Sequence, residues 1–315
     1  MANDTQSPKK RAAKAPTVTG GVLSVRRSLQ LLELMCEGQA YWSLADLSRH
    51  LGVNKAIARR LVDELCAAGF VYRDDLSGHY VMTYKLSNLG LRKLAQTRVL
   101  DQTSGTLREL ANETGELVRL GVVEFDQRVT WVLAFVGARR TLHIDPNYQL
   151  SLQLNTHAAG KAWLSTLSPA RAWEVLQATG IEQCTPHSKT TRQAIEADLA
   201  QARERGFALS YEENELHVGA IAAPITVRQP SGLVACVGVV SVAAPTSRMS
   251  PSDLVQLAPS LLGAVARLSD MWPIGELNRF IIIIKIDVGA SMPIKHPARR
   301  GETDSNVADT RKQSR

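Results

Sequence analysis

The sequence predicts an α+β protein made of an N-terminal winged helix-turn-helix, a linker helix and a C-terminal domain of strands and helices. Three observations predict it. Three short helical patterns and a hairpin pattern fill residues 21–84, a leucine-spaced helical stretch covers 85–115, and strand and helix patterns mix over 116–272. With 315 residues, 44% hydrophobic and 21% charged, the chain has room for two ordinary domains and the composition of a soluble globular protein.

Residues 1–20 are rich in Lys, Ala, Thr, Ser and Pro without apolar periodicity, and are expected to form a flexible basic arm. Val25, Leu29, Leu32 and Cys36 recur at helical spacing, one stripe of a first helix that starts near Leu23 and stops at Gly38. Ser43 and Asp46 form the start signal of a second helix that buries Leu44, Leu47 and Leu51 and stops at Gly52. Asn54 suits the cap of a third, 55–68, with Ala58, Leu61, Val62 and Leu65 on one face and Gly69 just past its end. The short Gly52-Val53-Asn54 connection gives helix-turn-helix spacing. Residues 70–73 and 79–83 then alternate like strands around Asp74-Asp75-Leu76-Ser77-Gly78, a loop of wing length.

At about 100° per residue, Ala56, Arg59, Arg60 and Asp63 fall away from the buried face of the third helix, and Lys55 opens that helix. The B-form major groove admits one helix, whose arginines can pair with guanine edges or phosphates. Arg59 and Arg60 suit either role. Arg26, Arg27, Ser43, Asn54 and Arg73 suit contacts that position the backbone of double-stranded DNA. The competing view is a small helical bundle with a solvated charged face. The trihelical pattern and the wing together favour DNA, and the charge suits it: net charge is +3 over residues 1–80, +1 over 81–272 and +3 over 273–315, so only the first basic region is also organised.

In the second half, 117–124 and 129–135 are apolar and β-branched around Asp126-Gln127-Arg128, a hairpin pattern. Helical patterns over 164–178 and 191–205 each run into a glycine. Strands follow at 220–227 and 233–242 about Gln229-Pro230-Ser231-Gly232. Pro251-Ser252-Asp253 opens a last helix carrying Leu254, Leu257, Leu261, Leu262 and Val265. Mixed strands with helices on one side are expected. Ala158-Ala159-Gly160 places small side chains where a helix begins, so backbone N–H groups there can hold a carboxylate.

Several function classes recede. Four scattered cysteines form no Cys-x-x-Cys pair, and no His-x-x-x-His pair occurs, so a disulfide framework, a metal site and a cofactor are not expected. No apolar run approaches the ~20 residues of a membrane span. The basic start has no hydrophobic segment after it, and a cytoplasmic protein is expected. Thr156, His157 and Lys161 cluster in sequence, yet no nucleophile elbow or phosphate loop follows a strand, and catalysis is not expected. The alternative kept open is a small-molecule-binding enzyme or sensor that uses its N-terminal helices for protein contacts.

Ser24-Val25-Arg26-Arg27-Ser28-Leu29, Leu44-Ala45-Asp46-Leu47-Ser48-Arg49, Arg60-Leu61, Gly69-Phe70-Val71 and Tyr80-Val81-Met82 resemble the DNA-binding half of IclR-type transcriptional regulators. A second block, Thr156-His157-Ala158-Ala159-Gly160-Lys161-Ala162, Gly206-Phe207-Ala208, Glu212-Glu213 and Ile221-Ala222-Ala223-Pro224, is similar to the effector-domain signatures of that family. The resemblance covers about residues 21–272. It implies a GAF-like α/β effector-binding domain over 116–272, a homodimer or dimer of dimers, and control of operator DNA binding by a small carboxylic or aromatic acid. Transferred position by position, it implies Ile144, Leu152, Ala158, Ala159, Gly160, Ser210, Ala220 and Ser241 as effector-binding residues. Three departures stand out. Ala56-Ile57 replaces Ser-Thr at the start of the recognition helix, His217 replaces a glycine and is counted with the effector residues, and Ala243 replaces a serine. Residues 273–315 fall outside the resemblance; Phe280 to Ile286 are β-prone, and the tail is expected to be largely disordered, with no role assigned.

Overall fold

The computed structural model describes residues 22–272 except 38, 125–127, 139–142, 147–151, 229–231 and 233. The expected arm, the tail, the stop at Gly38 and parts of the two hairpin turns therefore lie outside the described residues.

Helix α1 (Leu23–Cys36) opens the first domain. Its buried face is Leu31 and Met35, while Val25, Leu29 and Cys36 of the expected stripe are exposed. The second half of α1 is apolar on two adjoining stripes, Leu32/Cys36 and Leu31/Met35. Packing against the rest of the domain selects the second, in a cluster with Trp42, Leu47, Val62, Leu65, Val71 and Tyr80.

Helix α2 (Leu44–Leu51) is capped as its sequence dictates: the Asp46 N–H donates to Ser43 Oγ at 3.2 Å. Gly52 ends it at φ +63°, a left-handed position that an L side chain resists, and the Ser48 hydroxyl ties the turn by donating to the Val53 carbonyl at 2.7 Å. Helix α3 (Lys55–Ala67) begins with Ile57 N–H donating to Asn54 Oδ1 at 2.9 Å, and buries Ala58, Leu61, Val62 and Leu65. The wing is a short antiparallel hairpin, β1 (Val71–Arg73) with β2 (Tyr80–Met82), and Trp42 bridges to Tyr80 as a third rung. Asp74 braces its loop by accepting from Ser77 N–H at 3.1 Å and from the Ser77 hydroxyl.

The linker is two helices where the sequence suggests one. α4 (Lys85–Thr97) buries no residue, whereas α5 (Val99–Thr114) buries Val99, Leu107, Leu110 and Ala111 among others. Arg98 separates them in a left-handed conformation, φ +56°. Neither Gly nor Pro marks the break, so local sequence gives no signal for it. The beginning of α4 is clasped to the end of α3: Thr83 Oγ1 donates to the Gly69 carbonyl at 2.7 Å, and Lys85 Nζ donates to the Ala68 carbonyl with its ammonium 4.8 Å from the Phe70 ring centre.

The second domain is built on one antiparallel sheet in the order β4-β3-β7-β6-β5: β3 (Leu117–Val123), β4 (Val129–Val136), β5 (Ala208–Tyr211), β6 (Val218–Arg228) and β7 (Val234–Pro245). Burial along the middle of β6 and β7 runs through consecutive residues, so both faces are covered, and the expectation of helices on one side is corrected. α5 and α10 (Ala258–Met271) pack together and against the sheet on one face. α6 (Ala158–Leu164) covers β5, β6 and β7 on the other. α7 (Pro169–Thr179) and α8 (Arg192–Arg205) follow α6, and α9 (Pro251–Gln256) precedes α10 as a separate short helix. The helical pattern over 164–178 thus begins at Pro169, capped by Ser168, and the expected last helix is divided at Leu257.

Candidate DNA interface and ligand site

On α3, Lys55, Ala56, Arg59 and Arg60 are exposed and Ile57 is half-buried. Arg59 Nε stands 3.3 Å from Asp63 Oδ2 one turn on, a solvent-exposed pair that contributes little and exchanges readily for another anion. Arg73 on the wing is exposed, as is Arg26, while Arg27 is half-buried on α1. The Ser43 hydroxyl lies 2.6 Å from the Asp46 carboxylate, and Asn54 spends its side-chain oxygen on Ile57. Both therefore act as N-caps, Ser43 of α2 and Asn54 of α3. The helix that would enter a groove is held from behind by four buried side chains and carries two guanidiniums and one ammonium outward.

In the second domain, strand register brings Ser210, Ala220, Ala222, Ser241 and Arg119 onto the sheet face that α6 covers: Ser210 pairs with Ala220, Ala222 with Ser241, and Ser241 with Arg119. Ala158, Ala159 and Gly160 form the first turn of α6 against it. Leu152 and Ile144 join the same apolar core. Two of these residues also have structural roles. A Cβ on Gly160 would lie 2.6 Å from the Leu154 backbone, so its small size serves a close chain crossing. Ser210 donates its hydroxyl to the Thr156 carbonyl at 2.6 Å, tying down the turn that leads into α6.

His217 does not enter this face. Its ring is 87% exposed and 3.7 Å from Glu212 Oε1, and its backbone N–H donates to that carboxylate. Its backbone is in the left-handed region, φ +67°, a conformation that favours glycine. His217→Gly is expected to raise folding stability by about 0.5–1 kcal/mol, read by chemical denaturation, since relief of the left-handed strain exceeds the loss of an exposed pair. An unchanged or lower stability would show that the strain is already absorbed.

Lys161 is structural. Its Nζ lies 2.7 Å from Asp198 Oδ2 and 2.6 Å from Glu213 Oε2, and Lys189 Nζ reaches the same two carboxylates at 2.9 and 3.2 Å. With Lys161 3% and Glu213 6% exposed, this is a charge-balanced quartet inside the fold. Sequence reasoning missed Arg119 and Trp131. Arg119 stacks on the Trp131 ring with its guanidinium carbon 4.3 Å from the ring centre. A lone arginine inside the apolar run Leu117–Val123 was the available signal. An apolar groove of about 240 Å³ between α7 and α8, lined by Trp173, Leu176 and Leu199 among others, contains none of the expected effector residues.

Family comparisons agree with this geometry. Residues 24–75 match the IclR helix-turn-helix domain, and residues 91–270 match the bacterial transcriptional regulator IclR C-terminal domain. The chain belongs to the IclR family. It is 26% identical over 261 residues to the acetate operon repressor of Salmonella typhimurium, covering 83% of this chain and 94% of that protein. Among solved structures, a putative IclR regulator from Silicibacter sp. aligns with TM-score 0.63 and 30% identity over 78% of this chain and 95% of that one. An IclR homologue from Microbacterium hydrocarbonoxydans, solved with 4-hydroxybenzoate, shares the fold with TM-score 0.62 and 20% identity, covering 78% and 98%. This IclR-family chain is thus a DNA-binding transcriptional regulator, and its α+β architecture is that of the family. No helix among the described residues is long and apolar enough to cross a membrane.

Proposed function

We propose that this regulator inserts α3 into the major groove of a two-fold operator as a homodimer or dimer of dimers, and that a small carboxylic or aromatic acid in the second domain alters that binding. The observation that carries the DNA part is the outward row Lys55, Arg59 and Arg60 on a helix whose opposite face is wholly buried. Val25 and Leu29 on α1, and Leu86, Leu89 and Leu91 on α4, are apolar and exposed, the kind of surface that a second copy covers. The ligand part is supported by the mixed small, apolar and polar face beneath α6, and by the 4-hydroxybenzoate bound to the Microbacterium homologue. Control requires the ligand to favour one arrangement of the paired DNA-binding domains, because equal affinity for two arrangements shifts neither. We assign no chemistry to the chain.

A mobility shift with the upstream region of its own gene tests the reading. Saturable retardation is expected, with affinity falling steeply as salt rises, because each phosphate neutralised releases counterions. Absence of retardation at every ionic strength would sink it. A thermal-shift screen of carboxylic and aromatic acids tests the second half, since a ligand at a hundred times its Kd stabilises the folded state by about 2.7 kcal/mol.

A further inference from the structure

The sheet face beneath α6 holds a cluster of polar groups that packing alone does not explain. Trp131 is 5% exposed, yet its indole Nε1 has no hydrogen-bond partner among the described residues. The same holds for His157 Nε2, buried at the start of α6. An orphaned buried N–H or ring nitrogen is costly to keep, and native folds retain few of them without a use. Arg119 brings a permanent positive charge to the same place, its guanidinium lying on the Trp131 ring.

Electrostatics link the third member. Burial, then the charges of Arg119 and Lys161, push the His157 pKa down to about 3. His157 is therefore neutral at physiological pH, with each ring nitrogen limited to a single donor or acceptor role. The Lys161 charge is committed to Asp198 and Glu213; Arg119 shares the sheet face of Ser241 and lies on the Trp131 ring. Alanines at 220, 222 and 243 keep the adjoining sheet surface low, which suits a flat apolar body.

We propose that Arg119, Trp131 and His157 form the polar end of the ligand site and take the carboxylate of a small planar acid. The carboxylate pairs with the Arg119 guanidinium and accepts from Trp131 Nε1–H. His157 Nε2 completes the ring of partners, as donor to the carboxylate or acceptor of a ligand hydroxyl. The inference rests on the proposed ligand-binding role of the second domain. It replaces the start of α6 with Arg119 as the main partner of the anion. Because Arg119 is charged and His157 neutral throughout, affinity for a fully ionised acid is expected to stay level between about pH 5.5 and 8.

The test is calorimetric titration of the full chain with benzoate, 4-hydroxybenzoate and the uncharged isostere benzamide. Wild type is expected to prefer benzoate to benzamide. Arg119→Met keeps the stem against Trp131 and loses the charge, and should lower benzoate affinity by about tenfold to a hundredfold while leaving benzamide within about twofold. Trp131→Phe keeps the ring, loses the N–H and should lower benzoate affinity by about fivefold or more. It decides the matter independently if the arginine variant melts early. Acid binding that survives both substitutions overturns this assignment and leaves the ligand-binding role standing. Failure of both acids to bind wild type at millimolar concentration overturns the assignment, and failure of the wider acid screen would bring down the ligand-binding role as well.

Discussion

Lys161→Met is expected to destabilise the second domain by about 3–5 kcal/mol at neutral pH, among the largest effects available to a single substitution here. The change leaves Asp198 and Glu213 facing each other with Lys189 alone between them. Removing one partner of a buried network is harsher than never having built it, because the remaining charge stays desolvated. Burial works to raise the Asp198 pKa, but the charges and hydrogen bonds of Lys161 and Lys189 outweigh it and hold the group below its ordinary value. Burial works against the Lys189 charge as well, and Asp198 with Glu213 overcomes it and raises that pKa.

The pH dependence follows by sign. A depressed Asp198 contributes stability that is complete above the ordinary carboxylate value of about 3.9 and disappears as pH falls through its lower folded value. A raised Lys189 contributes stability that is complete below about 10.4 and disappears as pH rises through its higher folded value. Wild type therefore draws a level contribution from the quartet between about pH 5 and 9. In Lys161→Met the uncompensated carboxylate gains from taking up a proton, so the penalty should shrink as pH falls from 7 towards 4. Denaturant midpoints across that range check it. A penalty that grows with acidity would show that packing of the lysine stem, and not its charge, holds the site together.

Replacing both arginines, Arg59→Ala with Arg60→Ala, should weaken operator binding by about 1–3 kcal/mol for each guanidinium that reads a base, or up to roughly ten-thousandfold together. The fold should be unaffected, since both side chains point to solvent and the buried row of α3 is untouched. Salt dependence separates the roles. A base contact, when lost, lowers affinity for the operator far more than for random duplex, whereas a lost phosphate contact lowers both and flattens the salt slope by about one. Operator affinity equal to wild type would remove this face of α3 from the interface.

Legibility in the sequence divides along local and tertiary lines. The caps at Ser43 and Asn54, the stop at Gly52 and the buried row of α3 could be read because each depends on residues within one or two turns. The α1 face could not, because two apolar stripes were available and distant residues chose between them. β5 escaped notice for a related reason: a four-residue strand is too short to show a period. Within the candidate site, Ala220 and Ser241 entered through resemblance. Arg119 left one signal, a lone charge in an apolar run, but its pairing with Trp131 became visible only when the register of β3, β4 and β7 placed both on the face beneath α6. His217 stood out by residue type, whereas its exposed position and left-handed backbone became visible only in the structure.

The clasp from Lys85 and Thr83 onto the last carbonyls of α3 makes that helix and the first turn of α4 a single rigid corner. α4 is about 20 Å long, thirteen residues at roughly 1.5 Å each, and under the proposed control mechanism it is expected to act as a lever about the break at Arg98. A tilt of only about 10° at that pivot carries the reading helix some 3.5 Å, roughly the rise of one base step. In the proposed dimer, small torsions far from DNA would thereby become whole-step errors of phase between the two half-sites.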